Sequence, residues 1–391
     1  MKFEGFSYEE IISELKKRNI SFITGEEIKE HTVKKIEYMK KYVEQWLYVL
    51  SNVSNNIYFI DVMSNAGLYK NNHLTTCIEV LNVYAKFAQY HQDKMFYLLT
   101  NDLDSKRVEN LKKIFDIYKE QFDKYGIKNI KMEFNNSDAS DFVKNLIKKF
   151  NNQFISVKTR SILLYVDPYN FISYNLANAV HDFTRNVYCE VILNYDIQDY
   201  IRNINNDSVK QHQEEIKYFV RYFCNLDCQN VSAREVMNVT MDKFTQESKI
   251  NYKYSIEMKN SKNVALYHLI YFTPNLRGLE KVKDATWKVF GFHDNYSSKH
   301  IDRMQPNLFG ETDETNAYDN GRKIVADILC SSLKKSYSYN EILVITFEKT
   351  IFPKGKVISD IIKPLIEDRI IIKQNLKGIK NYTEDLYSVV R

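Results

Sequence analysis

Glycine and proline are scarce in this chain: ten and five residues in 391, where ordinary usage would supply about 27 and about 20. Collagen-like and Gly/Pro-rich low-complexity architectures are excluded, and each remaining glycine is individually informative. Cysteine is thin as well. Cys77, Cys189, Cys224, Cys228 and Cys330 are odd in number and scattered, which excludes a disulfide framework and reads as reduced thiols in a cytoplasmic protein. Only Cys224 and Cys228 are close. With no second ligand pair nearby they read as i,i+4 neighbours on a helix, and no metal site is expected. No apolar run reaches the roughly 18 residues a membrane span needs. The opening MKFEGFSYEEIISELKK carries acids and lacks a continuous apolar core, so neither a membrane partner nor a targeting segment is expected.

What is present is globular. Hydrophobic residues make up 44% and charged residues 27%, and the length is a prior for two or three domains. The 29 Tyr and 23 Phe match the output of an AT-biased genome and carry little functional weight. The net charge of +5 (55 basic against 50 acidic residues) is too small to demand a polyanionic partner. Its position is more telling: residues 321–391 hold 13 Lys and Arg against 8 Asp and Glu, the whole excess. Any electrostatic contact with nucleic acid is therefore expected there.

The first 50 residues read as helices packed on a core, with Ile36, Met39, Tyr42, Val43, Trp46, Leu47 and Leu50 at three- and four-residue spacing. Short apolar runs at 57–61, 95–100, 130–134, 162–167 and 187–195 read as strands, and helical patterns at about 75–90, 104–120, 139–150 and 174–183 separate them. Alternation of this kind predicts βαβ units and a mostly parallel, Rossmann-like α/β sheet over residues 51–292. A helical insertion at about 197–250 precedes two further runs, YKYSIEM and VALYHLIYF, read as an edge hairpin. Residues 293–320 are polar and read as a linker to a separate C-terminal domain at 321–391.

Ligands of open α/β sheets sit beyond the carboxyl ends of the strands, and an acid stands at each of the first four. Asp61 ends the first run, Asp102 follows the second, Asp138 the third, and Asp167 ends the fourth. Any one of them could simply cap the next helix; four in succession suit a nucleoside-bearing cofactor. In that reading Gly67 and Asn65 let the loop after Asp61 approach the ligand. Asp102 accepts ribose hydroxyls, and Asp138 accepts an adenine amino group. A dinucleotide fingerprint is missing, since Ser64, Asn65 and Ala66 occupy the loop and Asp102 lies 41 residues after Asp61. Asp167, Pro168, Tyr169 and Asn170 are the most specific piece. A polar residue, Pro and aromatic ring at this place grip an exocyclic amine in amino-group methyltransferases while the ring stacks on the base. The alternative is a Pro-led turn with a surface Tyr.

The chain resembles the three-Cys-motif partner proteins. The resemblance rests on His31 to Lys35 (HTVKK) with Tyr42 and Trp46, Asp61 to Tyr69, Asp102 with Asp104, Asp138, Asp167 to Tyr169, YHLIYFTPNLRG at 267–278, and Trp287. It implies a class I methyltransferase-type fold, usually with a C-terminal winged helix, and S-adenosylmethionine as cofactor. It further implies a place in bacterial mobile-element or phage-defence loci, beside a three-Cys radical-type protein. One departure stands out: where the family tends to carry DxFAGxGxY, Asn65 replaces the first Gly. Its side chain would add bulk where the cofactor's backbone-facing part lies.

Residues 321–391 offer three helical runs, RKIVADILCSSL, YNEILVITFEK and KGKVISDIIKPLIEDR, then a β pair at RIIIKQ and DLYSVV, which is winged-helix order. Ile358, Ile361, Ile362 and Leu365 would be the buried face of the third, leaving Lys354, Lys356 and Lys363, with Lys373 and Lys377 in the wing, to reach phosphates. Pro364 would end or kink that helix at Lys363. Such a module serves protein contacts as readily as DNA. These readings together predict a methyltransferase acting on nucleic acid, DNA in preference to RNA, with Asp167, Pro168 and Tyr169 at the acceptor. The competing expectation is a methyltransferase-like scaffold without turnover, docking DNA or a partner through its C-terminal module. His31 reads as a helix-start residue rather than a base.

Overall fold

A computed structural model describes residues 2–151, 160–229, 231–260, 262–291, 295–296, 313–374, 383 and 386–390. The chain divides into two compact units, one of residues 1–258 with 265–275 and one of residues 259–264 with 276–391.

The first unit opens with α1 (Tyr8–Lys17) and α2 (Glu30–Leu50). Ser7 and Glu10 form a capping box on α1, satisfying two N–H groups that the first turn would leave open. The apolar stripe of α2 is buried at Ile36, Met39, Tyr42, Val43, Trp46 and Leu47, while Leu50 is only half-buried at the helix end. There follow β1 (Asn56–Asp61), α3 (Thr76–Ala88), β2 (Met95–Asn101), α4 (Ser105–Tyr125), β3 (Ile130–Asn135), α5 (Ala139–Asn151), β4 (Arg160–Val166), α6 (Tyr174–Asn186) and β5 (Glu190–Tyr195). The insertion contains α7 (Ile197–Asn203), a 3-10 turn, α8 (Lys210–Tyr218), a π turn at Phe219–Phe223 and α9 (Ala233–Thr245). Strands β6 (Tyr252–Lys259) and β7 (Ala265–Thr273) close the unit.

The strands lie in the order β3-β2-β1-β4-β5-β7-β6. β1 to β5 are parallel, in register from Asn56↔Met95 to Asp61↔Thr100 and from Asn56↔Arg160 to Asp61↔Tyr165. β7 runs antiparallel to β5. Hydrogen bonds from Asn251 N–H to Thr273 O and from Asn260 N–H to Val264 O make β6 and β7 the expected hairpin. Ile57, Phe59, Ile60, Leu98, Leu163 and Leu164 are fully buried, as a parallel sheet covered by helices on both faces requires. This is the Rossmann-like, class I methyltransferase-type α/β architecture. A buried carboxylate anchors α2 to the sheet: Tyr42 donates to Glu190 at 2.5 Å, and Thr273 does so at 3.1 Å.

Cys224 and Cys228 are not helix neighbours. Asn225, at φ 55°, ends the π turn just after Cys224, so Cys228 lies beyond the helix. Among the described residues no helix is long and apolar enough to cross a membrane.

The second unit contains α10 (Leu276–Phe290), α11 (Asp313–Ser331), β8 (Ser336–Ser338), α12 (Tyr339–Lys349), a helical run at 354–367, β9 (Ile371–Gln374) and β10 (Leu386–Val389). The unit boundary thus falls at residue 275 rather than near 292, and α10 belongs with the C-terminal elements. The expected linker at 293–320 lies largely outside the described residues, but its last part, 313–320, is the start of α11. Gly321 sits inside that helix. A Cβ there would collide with the Phe352 ring, which explains a glycine at a position that helix propensity disfavours.

The β pair is a three-stranded antiparallel sheet in the order β9-β10-β8, because Ser336–Ser338 adds a strand. In the 354–367 run, residues Val357–Ile362 form a π turn and Pro364 follows it without ending the helix. The wider π turn accommodates the missing N–H and the proline ring, and Arg322 Nε donates to the Asp360 carbonyl at 3.4 Å. The changed period rotates the apolar stripe: Val357, Ile361, Ile362 and Leu365 are buried, and Ile358 is only half-buried.

Candidate functional site

Beyond the carboxyl ends of β1 to β5 opens a cavity of about 690 Å³, lined by residues from 26 to 267 of the first unit. Asp61, Asp102, Asp138 and Asp167 all line it, as do Asn65, Pro168 and Tyr169. Gly67 does not. At φ 90°, its missing Cβ would press on Ile114 at 2.7 Å and Leu111 at 3.0 Å, so this glycine serves loop geometry and the approach of α4 rather than the ligand.

Asn65 holds the left-handed conformation that glycine would take, at φ 60°. Its side chain turns back on the loop: Oδ1 accepts from Ala66 N–H at 2.7 Å. It also rests against Gly25, where a Cβ would come within 3.0 Å of Asn65 Oδ1. The bulk expected in the cofactor's path is thus directed largely against the N-terminal segment, although Asn65 still borders the cavity.

Three loops are tied together by Asn101, buried at the end of β2. Its amide donates to the carbonyls of Val62 (3.1 Å) and Ser137 (3.0 Å), and its oxygen accepts from Ser137 N–H at 3.2 Å. Asp102 accepts from Asn65 N–H at 3.0 Å and Asp104 N–H at 2.9 Å, one on each oxygen. Each oxygen keeps a second lone pair for a hydroxyl donor. Asp138 caps α5 through Ser140 N–H at 2.8 Å, so the capping reading is correct for it. Partial burial pushes its carboxyl up, but the hydrogen bonds from Ser140 and Asp141 bring it below the usual carboxylate value.

Asp61 is buried, and only Met63 N–H donates to it, at 3.3 Å, among its described hydrogen bonds. Burial, then the charges of Asp167 and Asp102, raise its pKa well above the ordinary carboxylate value, while Lys35 partly offsets them. Asp167 is bonded far more fully. Lys35 Nζ lies 2.6 Å from Oδ2, Tyr165 OH donates to the same oxygen at 2.9 Å, and Asn194 Nδ2 donates to Oδ1 at 2.6 Å. Pro168 is buried, and Tyr169 is 78% exposed at the rim, its hydroxyl 3.4 Å from Glu26.

His31 stands in the first turn of α2, as read, and its pKa is lowered to about 4 by burial and by Lys29 and Lys35. The insertion takes part in the cavity through Asp196, Gln198, Asp199 and Arg202. Asp199 also accepts from Phe171 N–H at 2.8 Å and faces His212 Nε2 at 2.6 Å.

Lys35, Asn101, Tyr165 and Asn194 received no role from sequence reasoning. Two carried a signal: Lys35 interrupts the buried stripe of α2, and Asn194 is polar in the apolar run VILNY. The proposed phosphate-contacting lysines belong to the second unit. Lys354 pairs with Glu280 at 3.0 Å. Lys356 pairs with Asp360 at 3.7 Å and lies 5.4 Å over the Tyr318 ring. Lys363 is exposed and Lys373 half-buried, while Lys377 lies outside the described residues.

Strand order and a ring of acids at the carboxyl edge give this unit the class I methyltransferase-like fold. No family model matches the sequence, and no curated protein does. Among solved structures, the chain is similar to a Listeria monocytogenes protein assigned to the class I S-adenosylmethionine-dependent methyltransferases. The identity is 10%, over 70% of this chain and 71% of that one, with a TM-score of 0.34. Human methyltransferase-like protein 13, solved in complex with SAH, matches at 9% identity over 66% and 91%, with a TM-score of 0.29. An Escherichia coli protein assigned as a methyltransferase matches at 12% identity over 41% and 69%, with a TM-score of 0.23.

Proposed function

We propose that the protein is an S-adenosylmethionine-dependent methyltransferase whose acceptor is an amine of a nucleic-acid base. The observation that carries this reading is the convergence of Asp61, Asp102, Asp138 and Asp167, each at the end of a successive strand, on one cavity. The volume, about 690 Å³, is within the usual range for ligand sites. The donor set fits the cofactor: Asp102 has lone pairs left for the ribose hydroxyls, Asp138 for the adenine amine, and Asp61 has no ion pair among the described residues. Eight acids line the cavity against four Lys and Arg, which favours a ligand carrying positive charge. When bound, the cofactor supplies an electrophilic methyl group. The chain's own contribution is orientation: Asp167, fixed by three donors, and Pro168 and Tyr169 beside it define where an amine and its ring would lie.

In this reading the second unit is a winged helix that holds nucleic acid, DNA in preference to RNA, through Lys354, Lys356, Lys363, Lys373 and Lys377. The motifs shared with three-Cys-motif partner proteins support a role in bacterial phage defence or mobile elements beside a three-Cys radical-type protein. A second reading is a scaffold without turnover that docks DNA or a partner. The three donors already on Asp167 favour it, since they leave that carboxylate little capacity to grip an amine.

The deciding experiment is calorimetric titration with S-adenosylmethionine and S-adenosylhomocysteine, followed by labelled methyl transfer to single- and double-stranded DNA and RNA. Binding with transfer that Asp167→Ala abolishes supports the enzyme. Binding without transfer to any nucleic acid supports the scaffold, and absence of binding rejects the cofactor.

A further inference from the structure

Lys35 comes from α2, ahead of the first strand, yet it lines the cavity with only 6% of the residue exposed. A lysine is seldom buried without a partner, and here the partner is Asp167 at 2.6 Å. That ion pair uses one of three N–H donors. Tyr267 flanks the ammonium with its ring centroid 5.5 Å away. Lys35 also acts on Asp61 at the end of β1, the buried acid whose described hydrogen bonding is limited to Met63 N–H. The three groups form a dipolar site, with one cation and two acids of which only Asp167 is directly paired. The complement of such a site is a zwitterion, its ammonium toward Asp61 and its carboxylate toward Lys35.

We infer that Lys35 is the carboxylate-binding residue for the amino-acid end of the cofactor, with Asp61 receiving the adjacent α-ammonium. The inference rests on the function proposed above and assigns to a helix outside the βα core a direct share in cofactor recognition. The rival role for Lys35 is purely positional, holding Asp167 in place. The two differ in what they require of the ligand: only the first needs a carboxylate.

The test is a cycle of two ligands and two proteins, read by calorimetry. S-adenosylmethionine and its decarboxylated analogue are titrated into the native protein and into Lys35→Met. The extra net positive charge of the analogue interacts with the rest of the site alike in both proteins, and that part cancels in the comparison, leaving the coupling to Lys35. If Lys35 binds the carboxylate, Lys35→Met loses about tenfold or more in affinity for S-adenosylmethionine, the worth of one charge-assisted hydrogen bond. Its affinity for the decarboxylated analogue then stays near the native value. Equal losses for the two ligands overturn the inference and leave Lys35 a positioning residue. Should Lys35→Met fold poorly because Asp167 is left unpaired, Lys35→Met with Asp167→Asn is compared with Asp167→Asn alone, and the same pattern is required. If neither S-adenosylmethionine nor S-adenosylhomocysteine binds the native protein, the cofactor reading fails and this inference falls with it. Binding of both with equal losses removes this inference alone.

Discussion

The backbone N–H of Asn65 donates to Asp102 Oδ2 at 3.0 Å, so the loop after β1 is held by the acid after β2. Asp102→Ala would remove the acceptor for Asn65 and for Asp104 and, on the proposed function, empty the ribose position. The expected result is a loss of cofactor affinity of about hundredfold, two charge-assisted hydrogen bonds' worth. It is accompanied by destabilisation of about 1–3 kcal/mol from the freed backbone donors. Calorimetry and denaturant unfolding measure the two effects separately. An Ala variant that binds the cofactor as tightly as the native protein would remove Asp102 from the site.

On the proposed function, Asp61 should make cofactor binding depend on pH. Its folded-state pKa is raised by burial and by Asp167 and Asp102 against Lys35; Tyr69, Tyr165 and Cys77 nearby are themselves raised and stay neutral. A group raised on folding contributes stability that is present below its unfolded value and lost as pH rises through the folded one. Asp61→Asn should therefore flatten the decline in stability above the usual carboxylate pKa. A bound ammonium favours the ionised form, so binding releases a proton and tightens as pH rises toward the folded value. Titration in buffers of different ionisation enthalpy reads that proton directly, and proton uptake would contradict the assignment.

Strand positions were legible because each parallel strand is a short apolar run, buried on both faces, with a helix-length interval before the next. The four acids were legible for a topological reason: in an open sheet the residue after each strand must lie at one edge. What stayed hidden depends on partners distant in sequence. Gly67 looks like a ligand-facing glycine until Ile114 and Leu111 are seen against it. Lys35 and Asp167 are 132 residues apart, and neither predicts the other. Pro364 carries a local signal for helix termination, which the π turn before it overrides.

Gly321 gives a test of the second unit by itself. In an exposed helix interior, Gly→Ala adds about 1 kcal/mol of stability. Here the new methyl group would run into Phe352, whose ring stacks on Tyr318 at 5.3 Å between centroids. Overpacking of this kind costs about 1–3 kcal/mol, so Gly321→Ala should destabilise the protein in thermal unfolding. Gly321→Ala with Phe352→Leu should recover part of the loss by opening space at the ring. A stabilised single variant would mean that Phe352 moves aside without cost.

On the proposed function, Tyr169 should separate acceptor recognition from everything else at the site. With 78% of the residue exposed and one long hydrogen bond to Glu26, it contributes little to folding, and Tyr169→Ala should change stability by no more than about 0.5 kcal/mol. Cofactor affinity should be unchanged, because the ring lies at the rim beyond Pro168. Stacking on a base is worth about 1–3 kcal/mol, so transfer to a nucleic-acid acceptor should fall about tenfold or more, chiefly through KM. Tyr169→Phe keeps the ring and should keep the activity, since the hydroxyl plays no part in stacking. If the Ala variant transfers at the native rate, the residues at 167–169 form a Pro-led surface turn, and the acceptor is held elsewhere in the cavity.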